Sequence, residues 1–240
     1  MEKVKNVNAV RFISAYNRLD QGLREIYSIK RTLTYSDMIR KVANVNTVVS
    51  KFEEDLIDYG RLRNAIVHKS SDEIIAEPNL DVVEKLEKIA RLINTPPKVI
   101  DCLRPRKVYS INGDTPLRDV VHEMSRSGFS VVPVYISNTL VGVINRRMII
   151  DGIAKFITQK QDIDDAMNIA VSSCLDIFNE TNHYEVAPAS MTIENLLYMF
   201  QQNRKLSSVI LTENGNYTEP AKMVIVTADT IDLNNILDNY

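Results

Sequence analysis

The chain has no tryptophan, two cysteines, three histidines and seven glycines among its 240 residues, and each shortage closes off a class of protein. Cys102 and Cys174 stand far apart, with no other Cys or His at ligand spacing, so neither a disulfide framework nor a zinc site is expected. The sparse glycines form no phosphate-cradling loop, and there is no Gly-x-Ser-x-Gly turn for a nucleophile. The longest apolar runs, such as residues 131–135 and 223–226, fall far short of the roughly 20 residues of a membrane span. The first ten residues carry no apolar stretch of the secretory kind. These absences predict a reduced, cytoplasmic protein without a membrane partner.

Forty-five per cent apolar and 25% charged residues are ordinary globular usage. The net charge of −2 hides a division. Residues 1–107 hold twenty Lys/Arg and fifteen Asp/Glu, a net of +5, whereas residues 108–240 hold nine and sixteen, a net of −7. The first half is too weakly basic for a dedicated nucleic-acid binder, yet suits a phosphodiester or an acidic partner.

Up to residue 95 the pattern is helical. Val10, Ile13, Tyr16, Leu19, Leu23 and Ile26 recur at helical spacing, predicting a helix that ends near Ile29. Residues 34–37 offer an N-cap for a second helix over 38–45. A third is expected over 46–68 with Val49, Phe52, Leu56, Tyr59 and Ile66 inward, and a fourth from about residue 79. Thr95-Pro96-Pro97 ends it, because paired prolines cannot continue a helix. An antiparallel four-helix domain over 1–95 follows.

Beyond it, short β runs alternate with helices. Strands are expected at 108–111, 130–136 and 140–144, with a helix after Asp114-Thr115-Pro116 closed by Gly128 and another over 147–157. A connecting helix over 166–178 opens with the acidic run Asp162-Ile163-Asp164-Asp165. The same order then returns, with strands at 184–187, 207–211 and 223–226 and helices near 193–200 and 230–237. A β-α-β-β-α unit used twice, with a period of about 76 residues, predicts two small sheets that bury a face against one another. The fold class is α+β.

The repeats resemble a tandem pair of CBS domains. The carrying residues in the first are Val108-Tyr109-Ser110-Ile111, Thr115-Pro116-Leu117, Gly128-Phe129-Ser130-Val131-Val132-Pro133-Val134 and Leu140-Val141-Gly142-Val143-Ile144. The second is looser: Ser207-Ser208-Val209-Ile210 stands where the family prefers a Pro-containing strand. The resemblance implies repeats over 99–158 and 184–240 joined by residues 159–183, a homodimer, and an adenine nucleotide (AMP, ADP or ATP) as regulatory ligand in the clefts between units. It brings Ser110, Val132, Asn145, Arg146, Arg147, Tyr184, Val209, Thr227, Asp229 and Thr230 forward as binding residues. The family pattern Gly-hydrophobic-hydrophobic-Thr/Ser-x-x-Asp is broken in both copies. Met148 takes the Asp place in the first; in the second Thr227 matches the hydroxyl, Thr230 takes the Asp place and Asp229 falls one residue early. Asn145-Arg146-Arg147 at a helix start suits a phosphate, or is a solvated helix end.

In the helical half, Leu62-Arg63-Asn64-Ala65-Ile66-Val67-His68 resembles the Arg-x(4–6)-His motif of HEPN domains. On a continuous helix Asn64 and His68 share a face, while Arg63 points about 140° from His68 at 100° per residue. Imidazole can exchange a proton near neutral pH and guanidinium can stabilise a charged phosphoryl transition state. The resemblance therefore implies a metal-independent endoribonuclease with Arg63, Asn64 and His68 as catalytic residues and RNA as partner. It equally admits a non-catalytic adaptor that binds a protein or RNA. His122 and His183 have no ligand-like neighbours in sequence, and no metal is expected.

Overall fold

The computed structural model describes residues 6–67, 74, 76–160, 162–178 and 184–240, of which the side chains of 176–178 are left aside. The chain divides into two compact units at residues 97/98.

In the first unit the described residues form five helices rather than four: α1 (Val7–Ile26), α2 (Tyr35–Ala43), α3 (Thr47–Lys51), α4 (Glu53–Ile66) and α5 (Leu80–Asn94). The expected helix over 46–68 is broken at Phe52, whose backbone leaves the helical region at φ −114°, ψ 21°. The cause is local. Asn46 caps α3 by accepting from the Val49 N–H at 2.9 Å, and Glu53-Glu54-Asp55 then supplies the acidic first turn that a new helix N-terminus favours. Thr34 caps α2, accepting from the Asp37 N–H.

Helix α1 packs mainly along α5. Its buried stripe is Ala9, Phe12, Ala15, Leu19 and Leu23, so Val10 and Ile26, expected inward, stand 55% and 54% exposed. Small alanines carry the stripe because α5 comes close. At Gly22 an added Cβ would fall 1.7 Å from Asn94 Oδ1, too near for any other residue without movement. Arg11 grips Glu87 across the same pair through Nε and Nη2 at 3.0 and 2.8 Å, and that bond holds the Glu87 carboxyl below its ordinary range. Phe12 meets the edge of Tyr59, with ring centroids 5.9 Å apart.

The second unit contains α6 (Val99–Cys102), β1 (Ile111–Asn112), α7 (Leu117–Ser127), β2 (Val131–Ile136), β3 (Thr139–Asn145), α8 (Arg146–Thr158), α9 (Ile163–Asn168), α10 (Val171–Phe178), β4 (Tyr184–Pro188), α11 (Ile193–Gln202), β5 (Ser208–Thr212), β6 (Met223–Val226) and α12 (Asp229–Asp238). Two three-stranded sheets result, ordered β1-β2-β3 and β4-β5-β6, each with a parallel pair followed by an antiparallel one. The unit is thus mixed α and β with an internal repeat. Strand β1 is shorter than expected: residues 104–110 form a strap without regular structure. Gly128 at φ 77° closes α7, a left-handed position that suits a residue without Cβ. The expected connecting helix is two helices, because Ile169 is extended (φ −65°, ψ 142°). Its carbonyl accepts the Leu117 N–H while the Val171 N–H reaches Thr115 O, both at 3.0 Å.

These contacts belong to a reciprocal exchange. Val171 and Cys174 of α10, in the lead-in to the second repeat, lie in the core of the first with Leu117, Val120, Val132, Val134 and Ile144. Val99 and Leu103, in the lead-in to the first repeat, lie in the core of the second with Ile193, Leu196, Val209, Leu211, Ile225 and Leu233. Lys98 bridges Thr192 as Ala170 bridges Pro116. A third cluster, Val131, Leu140, Val143 and Ile210 with Tyr184, Val224 and Val226, joins the sheets face to face.

The turn after β5 is tied by one carboxylate. Glu219 accepts from the Asn214 N–H and side chain, each at 2.7 Å, and from the Asn216 side chain at 3.1 Å. The turn docks on the first repeat through Tyr135 Oη to Glu219 O and Leu140 N to Tyr217 O.

Two outcomes are expected. Val99→Ala, which removes a fully buried side chain borrowed from outside the second repeat, should cost the second unit about 2 kcal/mol in urea unfolding. The Asn214 bonds hold the Glu219 carboxyl down at about 2, against 4.5 ordinarily. A depressed folded pKa contributes stability above the unfolded value that fades as pH falls through the folded one. Thermal melts of the wild type should therefore lose more between pH 4.5 and 2 than melts of Glu219→Gln.

Candidate functional site

A cavity of about 400 Å³ opens within the second unit, where the strap meets both repeats. Its walls are Arg106–Tyr109 of the strap, the α7–β2 turn from Ser127 to Val131, and Val224 and Val226 of β6. The strap has no regular structure here: Pro105 fixes its own φ and restricts Arg104, and residues 104–110 make no ladder pairing. β6 alternates, so that Val224 and Val226 turn to the cavity and the sheet interface while Met223 and Ile225 enter the helix-side core.

Part of the cavity lining is aromatic. Tyr109 and Phe129 stack with centroids 5.7 Å apart and planes 13° from parallel. Burial, with Glu123 and Asp119 nearby, pushes the Tyr109 phenol up, so it stays a neutral donor. Glu123 is held low by hydrogen bonds from Ser127 and Arg126. The lining is also cationic, through Arg106 and Lys107, and Arg146 donates from Nη2 to Gly128 O at 3.1 Å, fixing the turn. Arg106 Nη1 reaches Asp229 Oδ1 at 2.6 Å. Asp229 is buried at the start of α12, where its Oδ2 also accepts the Val226 N–H at 2.9 Å. Valine side chains, an aromatic pair and two cations in one lining suit a ligand that carries both a flat ring and an anion.

The residues singled out from sequence scatter around this cavity. Asp229 and Arg146 join it through Arg106 and Gly128, and Ser110 continues the strap beyond Tyr109. Asn145 caps α8, accepting from the Met148 N–H at 2.9 Å, and exposed Arg147 pairs with Asp151 at 3.4 Å. Thr230 Oγ1 donates to Thr227 O at 2.7 Å, closing the first turn of α12. Val132 and Val209 are fully buried in the helix-side cores. Tyr184 is half-buried at the sheet interface, its ring edge-on to Tyr217 at 6.4 Å. Arg106 and Lys107 belong to no family motif in the sequence. Their signal was the basic run Arg104-Pro105-Arg106-Lys107 just before a strand.

In the helical unit, half-buried Arg63 and exposed Asn64 sit on the last turn of α4, with Arg63 Nη1 3.5 Å from Asn64 Oδ1. The helix ends at Ile66, and Val67 is extended and bridged to Ile74. The helical spacing expected from Asn64 to His68 therefore stops short of His68, which, like His183, lies outside the described residues. Arg61 is paired with Asp58 at 2.8 Å. Tyr16 and Tyr35 pack beside this turn around Gly60. Burial lifts both phenols, Tyr16 to about 12 even though the Arg63 charge opposes its shift. Among the described residues no cluster of His, Cys, Asp and Glu could hold a metal, and no helix is long and apolar enough to cross a membrane.

Residues 99–155 match the model of the CBS domain family, a stretch that takes in α6, the strap, the first sheet and most of α8. No curated protein matches the sequence. Among solved structures, a CBS-domain containing protein from Agrobacterium tumefaciens aligns at 16% identity and a TM-score of 0.44 over 57% of this chain and 92% of its own. CBSX2, solved with AMP, aligns at 15% and 0.44 over 59% and 98%. The CBS domain of a bacterial CNNM/CorC family Mg2+ transporter, solved with ATP, aligns at 21% and 0.43 over 62% and 94%.

Proposed function

We propose that the second unit is a pair of CBS domains, the second copy degenerate, that binds an adenine nucleotide in the cavity beside the strap and so regulates the helical unit. The observation that supports this most is the cavity itself. Tyr109 and Phe129 offer a stacking surface for a purine, and Arg106 and Lys107 offer charge for phosphate. The protein acts in the cytoplasm as a homodimer. A thermal-shift panel of AMP, ADP, ATP, S-adenosylmethionine and cyclic dinucleotides tests the ligand. Phe129→Ala should weaken the best nucleotide at least about tenfold, as expected for a lost stacking partner. A flat panel with the wild type sinks the assignment.

The helical unit is the output, an HEPN-like domain acting on RNA. Its cleaving form would use Arg63, Asn64 and His68. Its adaptor form would use the same exposed turn to dock RNA or a protein, and the end of α4 at Ile66 favours this second form. Incubating RNA without metal separates the two. Loss of cleavage in both Arg63→Ala and His68→Ala supports the nuclease. An uncut substrate with the wild-type chain, retained in a gel shift, supports the adaptor.

A further inference from the structure

We infer that Arg106 decides which ligands the cavity admits, by keeping Asp229 occupied until an anionic group takes its place; this rests on the nucleotide reading above. The Asp229 side chain is 5% exposed, whereas the Arg106 side chain that meets it is 48% exposed. Asp229 Oδ2 is taken by the Val226 N–H and Oδ1 by Arg106. Arg106 and Val226 both line the cavity, so the carboxylate stands at its wall, closed off by a cation that itself faces the ligand space.

A neutral ligand that presents hydroxyls to Oδ1 must displace the guanidinium, trading a charge-assisted hydrogen bond for a weaker one and leaving the cation unpartnered. A phosphate removes that obstacle. It takes the guanidinium, for which its geometry is suited, and frees Oδ1 to accept a pair of vicinal hydroxyls. The guanidinium exchanges one anion for another, the carboxylate exchanges it for two hydroxyl donors while keeping the Val226 N–H, and Lys107 adds a second positive group to the lining. The class selected carries an anion and a diol on one molecule, as a nucleoside 5′-phosphate does. A nucleoside or free phosphate completes only half of the exchange.

Calorimetry on the full chain with AMP, adenosine and inorganic phosphate tests this, with melting curves confirming that each variant is folded. The wild type should prefer AMP over adenosine by at least about 30-fold, the scale of one charge-assisted contact. Arg106→Gln should bind AMP more weakly and adenosine more tightly, shrinking the preference below about threefold, whereas Arg106→Lys should keep most of it. Asp229→Asn releases the guanidinium from the other side, and inorganic phosphate should then bind several-fold tighter. Parallel losses for AMP and adenosine in Arg106→Gln, or unchanged phosphate affinity in Asp229→Asn, overturn the role of Arg106 while leaving the nucleotide site standing. Failure of AMP to bind the wild type overturns the site and this role together.

Discussion

A three-stranded sheet of short strands cannot bury both of its faces with one or two helices of its own. Here each sheet spends one face on its twin, through Val131, Leu140, Val143 and Ile210. For the other face it borrows from the lead-in of the opposite repeat: Val99 and Leu103 for the second sheet, Val171 and Cys174 for the first. Everything else in the unit depends on this exchange. Because α6 is anchored on the second repeat and β1 is hydrogen-bonded into the first, residues 104–110 must cross from one to the other. The crossing places the strap beside the sheet interface, and so creates the cavity.

The chemistry of that cavity follows from its being walled by a strap rather than by ladder strands. Side chains on an unpaired segment without regular structure are not bound to alternate between core and solvent as strand residues are. Arg106, Lys107 and Tyr109 can therefore all serve one space. The turn after α7 contributes Phe129 because Gly128 takes a left-handed conformation there, and Arg146 secures the same turn from α8. The electrostatic centre lies across the repeats: Arg106, entering the first repeat, and Asp229, from the second.

The repeated order of strands and helices was legible in the sequence because short apolar runs, turn residues and caps recur at a fixed period. Gly128, Asn145 and Thr192 end or begin helices as their chemistry suggests. What escaped was tertiary. The stripe of α1 runs through Ala9 and Ala15, which a count of large apolar residues overlooks, and Val10 was placed inward in their stead. The helix over 46–68 looked continuous because apolar spacing runs straight through Phe52, whereas the Asn46 cap and the acidic triplet that split it act on backbone groups. At the cavity, Asp229 was visible as a misplaced carboxylate, but its partner lies 123 residues away and no local pattern joins them.

The borrowed packing also sets an order in time. A ribosome releases α6 long before the strands that will cover Val99 and Leu103 exist, at roughly 5–20 residues per second in synthesis. During those seconds the nascent first repeat lacks α10 as well, so neither half can reach its final packing alone. The second repeat is in effect a clasp whose core around Val99 and Leu103 closes only when its last strand and α12 arrive, and late closure of this kind, between parts distant in sequence, slows folding.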